Sequence, residues 1–86
     1  MKCQLVGYSN AEFTNKDTGE VTKSVHLHFV RKPKLSENGV QGMVTNHCVV
    51  YGENIAKLPA LDVGGNYDCD INSYRGKDYL NDCVKL

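Results

Sequence analysis

An all-β fold of five strands, with one short helix between the third and fourth, is predicted by three features of the sequence. Apolar and polar residues alternate over several stretches of strand length. The breaks between those stretches carry Gly, Pro, Asn and Asp, the residues that turns require. Only one stretch has helical spacing, and it is short.

The opening "MKCQLVGYS" and its continuation "AEFTN" read as one long first strand, bent near Gly7 or at Ser9-Asn10. "NKDTGEV" turns the chain, and Asp17-Thr18-Gly19 suits a type I turn closed by a glycine bulge. In "KSVHLHFVRK", Val25, Leu27 and Phe29 alternate with Ser24, His26 and His28, which gives a half-buried second strand with one apolar face. "RKPKLSENGVQG" is a polar loop that Pro33 opens and Asn38-Gly39 turns. The β-branched run at residues 43 to 51 is the third strand. Glu53 to Leu58 is the helical candidate, with Ile55 and Leu58 at i, i+3 and Pro59 as its stop.

"DVGGNY" leads into the fourth strand, where Tyr67, Cys69 and Ile71 alternate with Asn66, Asp68, Asp70 and Asn72. "YRGKDY" is a tight turn with Gly76 at positive φ. The last strand carries Leu80, Val84 and Leu86 on one side, interrupted by Asp82. Phe29 and Tyr67 share parity with apolar neighbours and are read as core.

Five strands with a helix between the third and fourth is the layout of the OB-fold, a small Greek-key barrel. SH3-like barrels also have five strands, but their helix precedes the last strand, which fits less well. The 86 residues make a single domain, residues 1–86. A core of that size is marginal, which favours a homodimer. Apolar runs are far too short for a membrane span, and "MKCQLVGYSN" lacks the apolar region of a secretory signal. Cys3, Cys48, Cys69 and Cys83 include no Cys-x-x-Cys pair, so free thiols in a reducing, cytoplasmic setting are expected. Ten basic and ten acidic side chains cancel, which argues against a strongly basic nucleic-acid coat but permits local basic clusters.

The hairpin "GYSNAEFTNKDTGEVTKSVHLHFV" resembles the first hairpin of phage and mobile-element single-stranded DNA-binding proteins. "GGNYDCDINSYRGKDYLNDCVKL" resembles their last two strands, with Gly-x-Tyr, an alternating strand, a basic-Gly turn and an apolar close. In length the chain is similar to the filamentous-phage gene V type. The resemblance implies an OB-fold protein that binds single-stranded nucleic acid, DNA more than RNA, stoichiometrically during replication or transfer. It also implies replication or transfer proteins of a bacterial host cytoplasm as possible partners.

Single-strand binding needs positive charge along a groove and exposed aromatic faces, each stacked base contributing ~1–3 kcal/mol. Basic residues cluster at the connections: Lys16 and Lys23 at the first hairpin, Arg31, Lys32 and Lys34 at the second, Arg75 and Lys77 at the last turn. They are the expected phosphate contacts. Phe13, Tyr74 and Tyr79 are the expected stacking residues, with Tyr8 and Tyr51 as further exposed aromatics. The plainer reading is that charged turns only keep loops soluble. The OB-fold's use of these connections for oligonucleotides favours binding.

His26 and His28 point to one face about 7 Å apart, from a strand rise of roughly 3.3 Å per residue. His47 or Cys48 on the next strand could complete a metal set, but a groove or plain surface suits strand histidines better. They are placed on the groove floor, and no metal or cofactor is expected. Asp68 and Asp70 share a strand face and are expected to pair with Arg75 and lysines across the sheet. With no phosphate loop, metalloprotease motif or nucleophile elbow, the chain is not read as an enzyme. The rival reading is a protein-interaction adaptor on the same barrel, which the balanced charge favours.

Overall fold

The computed structural model describes residues 1–35 and 37–86. Its elements are β1 (Lys2–Thr14), β2 (Val21–Arg31), β3 (Val44–Tyr51), a 3-10 helix (Gly52–Lys57), β4 (Asn66–Tyr74) and β5 (Lys77–Lys85). The expected order holds: five strands, and one short helix between β3 and β4. The helix is of the tighter 3-10 form, as suits a single short stretch that Pro59 ends. Its Ile55, and Leu58 just beyond it, are half-buried against the core. The loop reading at Ser36 lies outside the described residues. No helix among the described residues is long and apolar enough to cross a membrane.

The strands form a ring in the order β1-β2-β3-β5-β4. Four of its joints are antiparallel ladders, and the fifth, β3 to β5, is parallel and rests on one bridge, Cys48 to Asp78. The ring is therefore closed most weakly between β3 and β5. The element order and the ring of five strands, with one short helix between β3 and β4, agree with the expected layout.

Alternation fixes what the ring encloses. Val25, Leu27 and Phe29 of β2 face inward and pair with Val50, Cys48 and Asn46 of β3. Leu5, Leu27, Phe29, Cys48, Tyr67 and Cys69 have almost no exposed surface. Burying an apolar side chain of this kind contributes about 1.5–3 kcal/mol. Phe29 and Tyr67 are both core, as their parity predicts, and meet edge to face with centroids 6.2 Å apart.

The Tyr67 hydroxyl donates to the Ala60 carbonyl at 2.6 Å and accepts the Asp62 N–H at 2.8 Å. A buried phenol thus ties down the segment that leads into β4. That segment also pairs with β1, through Gly64 N–H to the Leu5 carbonyl and Leu5 N–H to the Gly65 carbonyl. Gly65 has little room for a side chain, since a Cβ there would lie 3.0 Å from the Asp62 carbonyl oxygen.

Two bulges alter the alternation. The β1–β2 register shifts between Leu5 and Gly7, so Val6 is the extra residue and the bend falls where Gly7 suggests it. The β4–β5 register shifts where Leu80 pairs with Ile71 but Asp82 pairs with Asp70. Asn81 is the extra residue there, and it reverses the parity of everything after it. Val84 and Leu86, expected to share an inner face with Leu80, are instead exposed, and Cys83 takes the inward position.

The first hairpin outruns the barrel. Residues 8 to 14 of β1 and 21 to 23 of β2 are all exposed, forming a two-stranded arm within a molecule of 47 × 28 × 18 Å. At its tip Asn15 N–H donates to the Glu20 carbonyl, and Gly19, at φ +72°, donates to the Asn15 carbonyl. The Asn15 side chain accepts the Asp17 N–H at 2.9 Å. This capped turn with a left-handed glycine is what "NKDTGEV" encodes.

Candidate nucleic-acid interface

The outer face of β1, β2 and β3 follows from the same register. Because Val25, Leu27 and Phe29 point in, Ser24, His26 and His28 point out, across from Tyr51, Val49 and His47. Phe13, opposite Thr22, lies on this same outer side of the arm and is 67% exposed. Lys23 does not: it shares parity with Val25 and Leu27 and therefore lies on the opposite face of the arm.

His26, His28 and His47 form one cluster. His26 Nδ1 and His47 Nε2 are 2.9 Å apart, a ring-to-ring hydrogen bond, and His47 stacks on His28 with centroids 4.6 Å apart. The two β2 histidines are brought together as their spacing predicts, and His47 is the member that the cross-strand register adds. Cys48, its neighbour, faces the core. Among the described residues, no three His, Cys, Asp or Glu side chains stand as a ready metal cage.

A groove of about 850 Å³ opens beside this cluster, at the weak seam between β3 and β5. One wall carries His47, Val49 and Tyr51 of β3, with Asn54 and Lys57 of the 3-10 helix. The other carries Gly76, Lys77, Asp78, Tyr79 and Asn81. Tyr51 and Tyr79 are about half exposed or more, at 59% and 48%. The groove therefore offers two aromatic faces, an imidazole and two ammonium groups, with Asp78 and Asp82 as its acidic members. Asp78 is already engaged: it accepts from Ser73 Oγ and from Asn46 Nδ2.

Tyr74 and Arg75 stand at the end of the β4–β5 hairpin. Tyr74 is 61% exposed, and the Arg75 guanidinium carbon lies 5.2 Å from its ring centroid, a cation–π contact. Both Arg75, at φ +51°, and Gly76, at φ +76°, are left-handed, as a two-residue type I′ turn requires. The sequence pointed to the glycine alone. An arginine in that region carries a steric cost that Asn or Gly avoids.

The second connection is arranged differently from the sequence expectation. Arg31 continues the inward parity of β2, is 9% exposed, and holds Glu37 in a bidentate pair at 2.7 and 3.0 Å. Its two terminal nitrogens are thus committed to Glu37 and removed from the groove. Glu37 also accepts the Lys34 N–H at 2.9 Å. The Arg31 hydrogen bonds, helped by that N–H, hold the Glu37 carboxyl down at about 2. The Lys34 side chain borders a separate depression with Asp68, Asp70 and Asp82. Lys32 and Lys16 are exposed at opposite ends of β2.

Asp68 stands directly opposite Lys2 in the β1–β4 ladder and takes the Met1 amino group at 2.6 Å. Asp70 instead faces Asp82 across the β4–β5 ladder. The face of β4 and β5 is acidic where the face of β2 and β3 carries imidazoles. Tyr51, one of the aromatics the sequence offered, lines the groove, and so do His47, Val49 and Lys57, which sequence reasoning left out of the nucleic-acid site. The outward parity of His47 and Val49 on β3 was the available signal; the place of Lys57 on the 3-10 helix and the joining of β3 to β5 were not legible.

Comparison of the chain with protein-family models, curated proteins and solved structures returns no match in any of the three.

Proposed function

We propose that this chain binds single-stranded nucleic acid, DNA in preference to RNA, along the outer face of β2 and β3. The carrying observation is the groove at the β3–β5 seam, where Tyr51 and Tyr79 are exposed beside Lys57, Lys77 and His47. Stacking surface and ammonium groups at one open cleft are the two things that single-strand binding needs. Phe13 on the arm and Tyr74 with Arg75 at the opposite hairpin extend the track on either side. Lys16 and Lys32 add charge at the margins. Arg31, Lys23 and Lys34 have no part in it, being buried in an ion pair, on the other face, or beside the acidic depression. The role is stoichiometric: the protein covers a strand during replication or transfer of phage or mobile-element DNA, in line with the resemblance of its two hairpins. A homodimer would cover Val21, left exposed on the face of the arm away from Phe13.

Fluorescence anisotropy of labelled oligo-dT at two salt concentrations tests this reading. Saturable binding at low salt, weakened steeply by added salt, is expected. Tyr79→Ala should cost about 1–3 kcal/mol of binding energy. Lys77→Gln should reduce the salt slope by about 0.7, the value for one phosphate contact on a single strand. Lys34→Gln should change neither. Absence of binding at low salt would sink the proposal. It would leave a protein-interaction adaptor, the reading that the zero net charge favours.

A further inference from the structure

We infer that Cys69 and Cys83 form a reversible modification site, a thiol pair that a small peroxide closes into a disulfide and an external dithiol reopens. The inference does not rest on nucleic-acid binding. The two residues stand directly opposite one another in the β4–β5 ladder, and their sulfurs are 3.5 Å apart.

The hydrogen-bond phase of the ladder makes the pair bridgeable. Antiparallel partners alternate between pairs that exchange backbone bonds and closer pairs that do not. Leu86 N–H donates to the Asn66 carbonyl, and counting along the register from there puts Cys69 and Cys83 in a pair of the closer kind. Two other bonds agree. The Cys69 N–H turns away to the Met1 carbonyl, and the Cys83 N–H donates to the Asp82 side chain. Cα atoms in such a pair lie about 4.5 Å apart, inside the roughly 4.4–6.8 Å that a disulfide spans. A change of side-chain torsions can then bring the sulfurs to the bonded distance of about 2.05 Å. The bulge at Asn81 is what turns Cys83 inward to this place. The spacing sits at the short end of the disulfide range, so the bond is strained and readily reduced.

The other thiols are not so placed. Cys3 lies opposite Tyr67, diagonal to Cys69 on the same inner face. A diagonal of that kind spans about 7–8 Å, too far for a disulfide without backbone movement. Cys48 stands opposite Leu27 and Asp78.

Cys83 lines the groove at the β3–β5 seam and is 9% exposed, against 1% for Cys69, so a molecule as small as hydrogen peroxide meets it first. The Cys83 thiolate attacks one peroxide oxygen and becomes a sulfenic acid; the other oxygen leaves as hydroxide and takes up the thiol proton as water. The Cys69 sulfur then attacks the Cys83 sulfur, and the sulfenic hydroxyl leaves as a second water with the Cys69 proton. Two thiols and one peroxide thus give one disulfide and two waters, with two electrons passing from sulfur to oxygen. Burial raises both thiols, so the bond forms slowly.

Prolonged incubation of the native chain with hydrogen peroxide, followed by unfolding and alkylation of the remaining thiols with N-ethylmaleimide, tests the site. Two alkylated thiols rather than four are expected, with a non-reduced tryptic peptide that joins Cys69 to Cys83. Dithiothreitol should restore all four. Cys83→Ser should abolish the bridge and Cys3→Ser should leave it, with circular dichroism checking that both variants fold. Should the Cys83 variant fail to fold, the peptide map of the parent chain decides alone. Three outcomes overturn the proposal: four free thiols after peroxide, a sulfinic acid at Cys83 with Cys69 still free, or bridges to Cys3 and Cys48 as frequent as in the chain oxidised in guanidinium.

Discussion

Asn46 donates from Nδ2 to Asp78 Oδ2 at 3.1 Å, and this bond pins β3 to β5 where the ring of strands has its single bridge. Ser73 Oγ donates to the other carboxylate oxygen at 2.6 Å, so Asp78 fastens the β4–β5 hairpin to β3 as well. Burial pulls the Asp78 carboxyl upward. The bonds from Ser73, Asn46 and the His47 N–H, with the nearby Arg31 charge, outweigh it and leave the group below its ordinary value. Asp78→Ala removes the acceptor and leaves the buried Asn46 amide without a partner. A loss of about 1.5–3 kcal/mol is expected, the range for hydrogen bonds to a charged group. Urea unfolding monitored by circular dichroism measures it, and an unchanged midpoint would refute the role given to this carboxylate.

Glu37 gives the structure an acid limit. Its carboxyl is held at about 2 in the folded protein, against an ordinary value of 4.5. A carboxylate with a depressed folded value stabilises the native state most fully above its unfolded value. The stabilisation from the Arg31 pair is therefore complete above about pH 4.5 and fades as pH falls toward 2. Glu37→Gln should lower the urea midpoint at neutral pH, and the gap between variant and parent should close across that window. A gap that stays constant with pH would show that the carboxylate charge contributes nothing.

The strands were legible because each has one wet and one dry face. Val25, Leu27 and Phe29 announce the inner side of β2, and Tyr67, Cys69 and Ile71 that of β4. What remained hidden were features without a compositional trace. The extra residue at Asn81 turns Val84 outward, yet nothing in "YLNDCVKL" distinguishes a bulge from a straight strand. Arg31 continued the parity of Val25, Leu27 and Phe29, but its partner, Glu37, sits in an irregular segment that no periodicity places. Lys23 is the instructive opposite. Its parity with Val25 already assigned it to the face away from His26, and reading charge by proximity to a turn overrode that signal. The seam between β3 and β5, and with it the meeting of Tyr51 and Tyr79, depends on a tertiary joint of one bridge.

The four cysteines should be inert in the native state. Burial raises all four, pushing Cys48 up to about 12 and Cys69 higher still beside Cys83. Since the thiolate is the reactive form, a buried thiol so shifted reacts slowly with disulfide reagents. Ellman's reagent at pH 8 is expected to titrate almost none in the folded protein and all four once guanidinium unfolds it. Fast reaction of one thiol in the native protein would contradict its burial. The Cys69–Cys83 pair, with sulfurs 3.5 Å apart, is the place to look first for such an exception.

Arg75 allows stability and binding to be separated. Its φ of +51° brings Cβ too close to the following carbonyl, a cost of roughly 1–2 kcal/mol on the turn, part of which Asn would recover at the same position. Arg75→Asn should therefore stabilise the protein by about 0.5–1 kcal/mol, reading as a higher thermal midpoint. The same change removes the guanidinium that lies over Tyr74 at the end of the proposed track. Strain of this kind persists where the strained residue has a task. The variant is expected to be more stable and to bind oligo-dT more weakly, with a shallower salt dependence. A variant that gains stability and keeps its affinity would remove Arg75 from the interface. One that loses stability would show that the cation–π contact with Tyr74 outweighs the backbone cost.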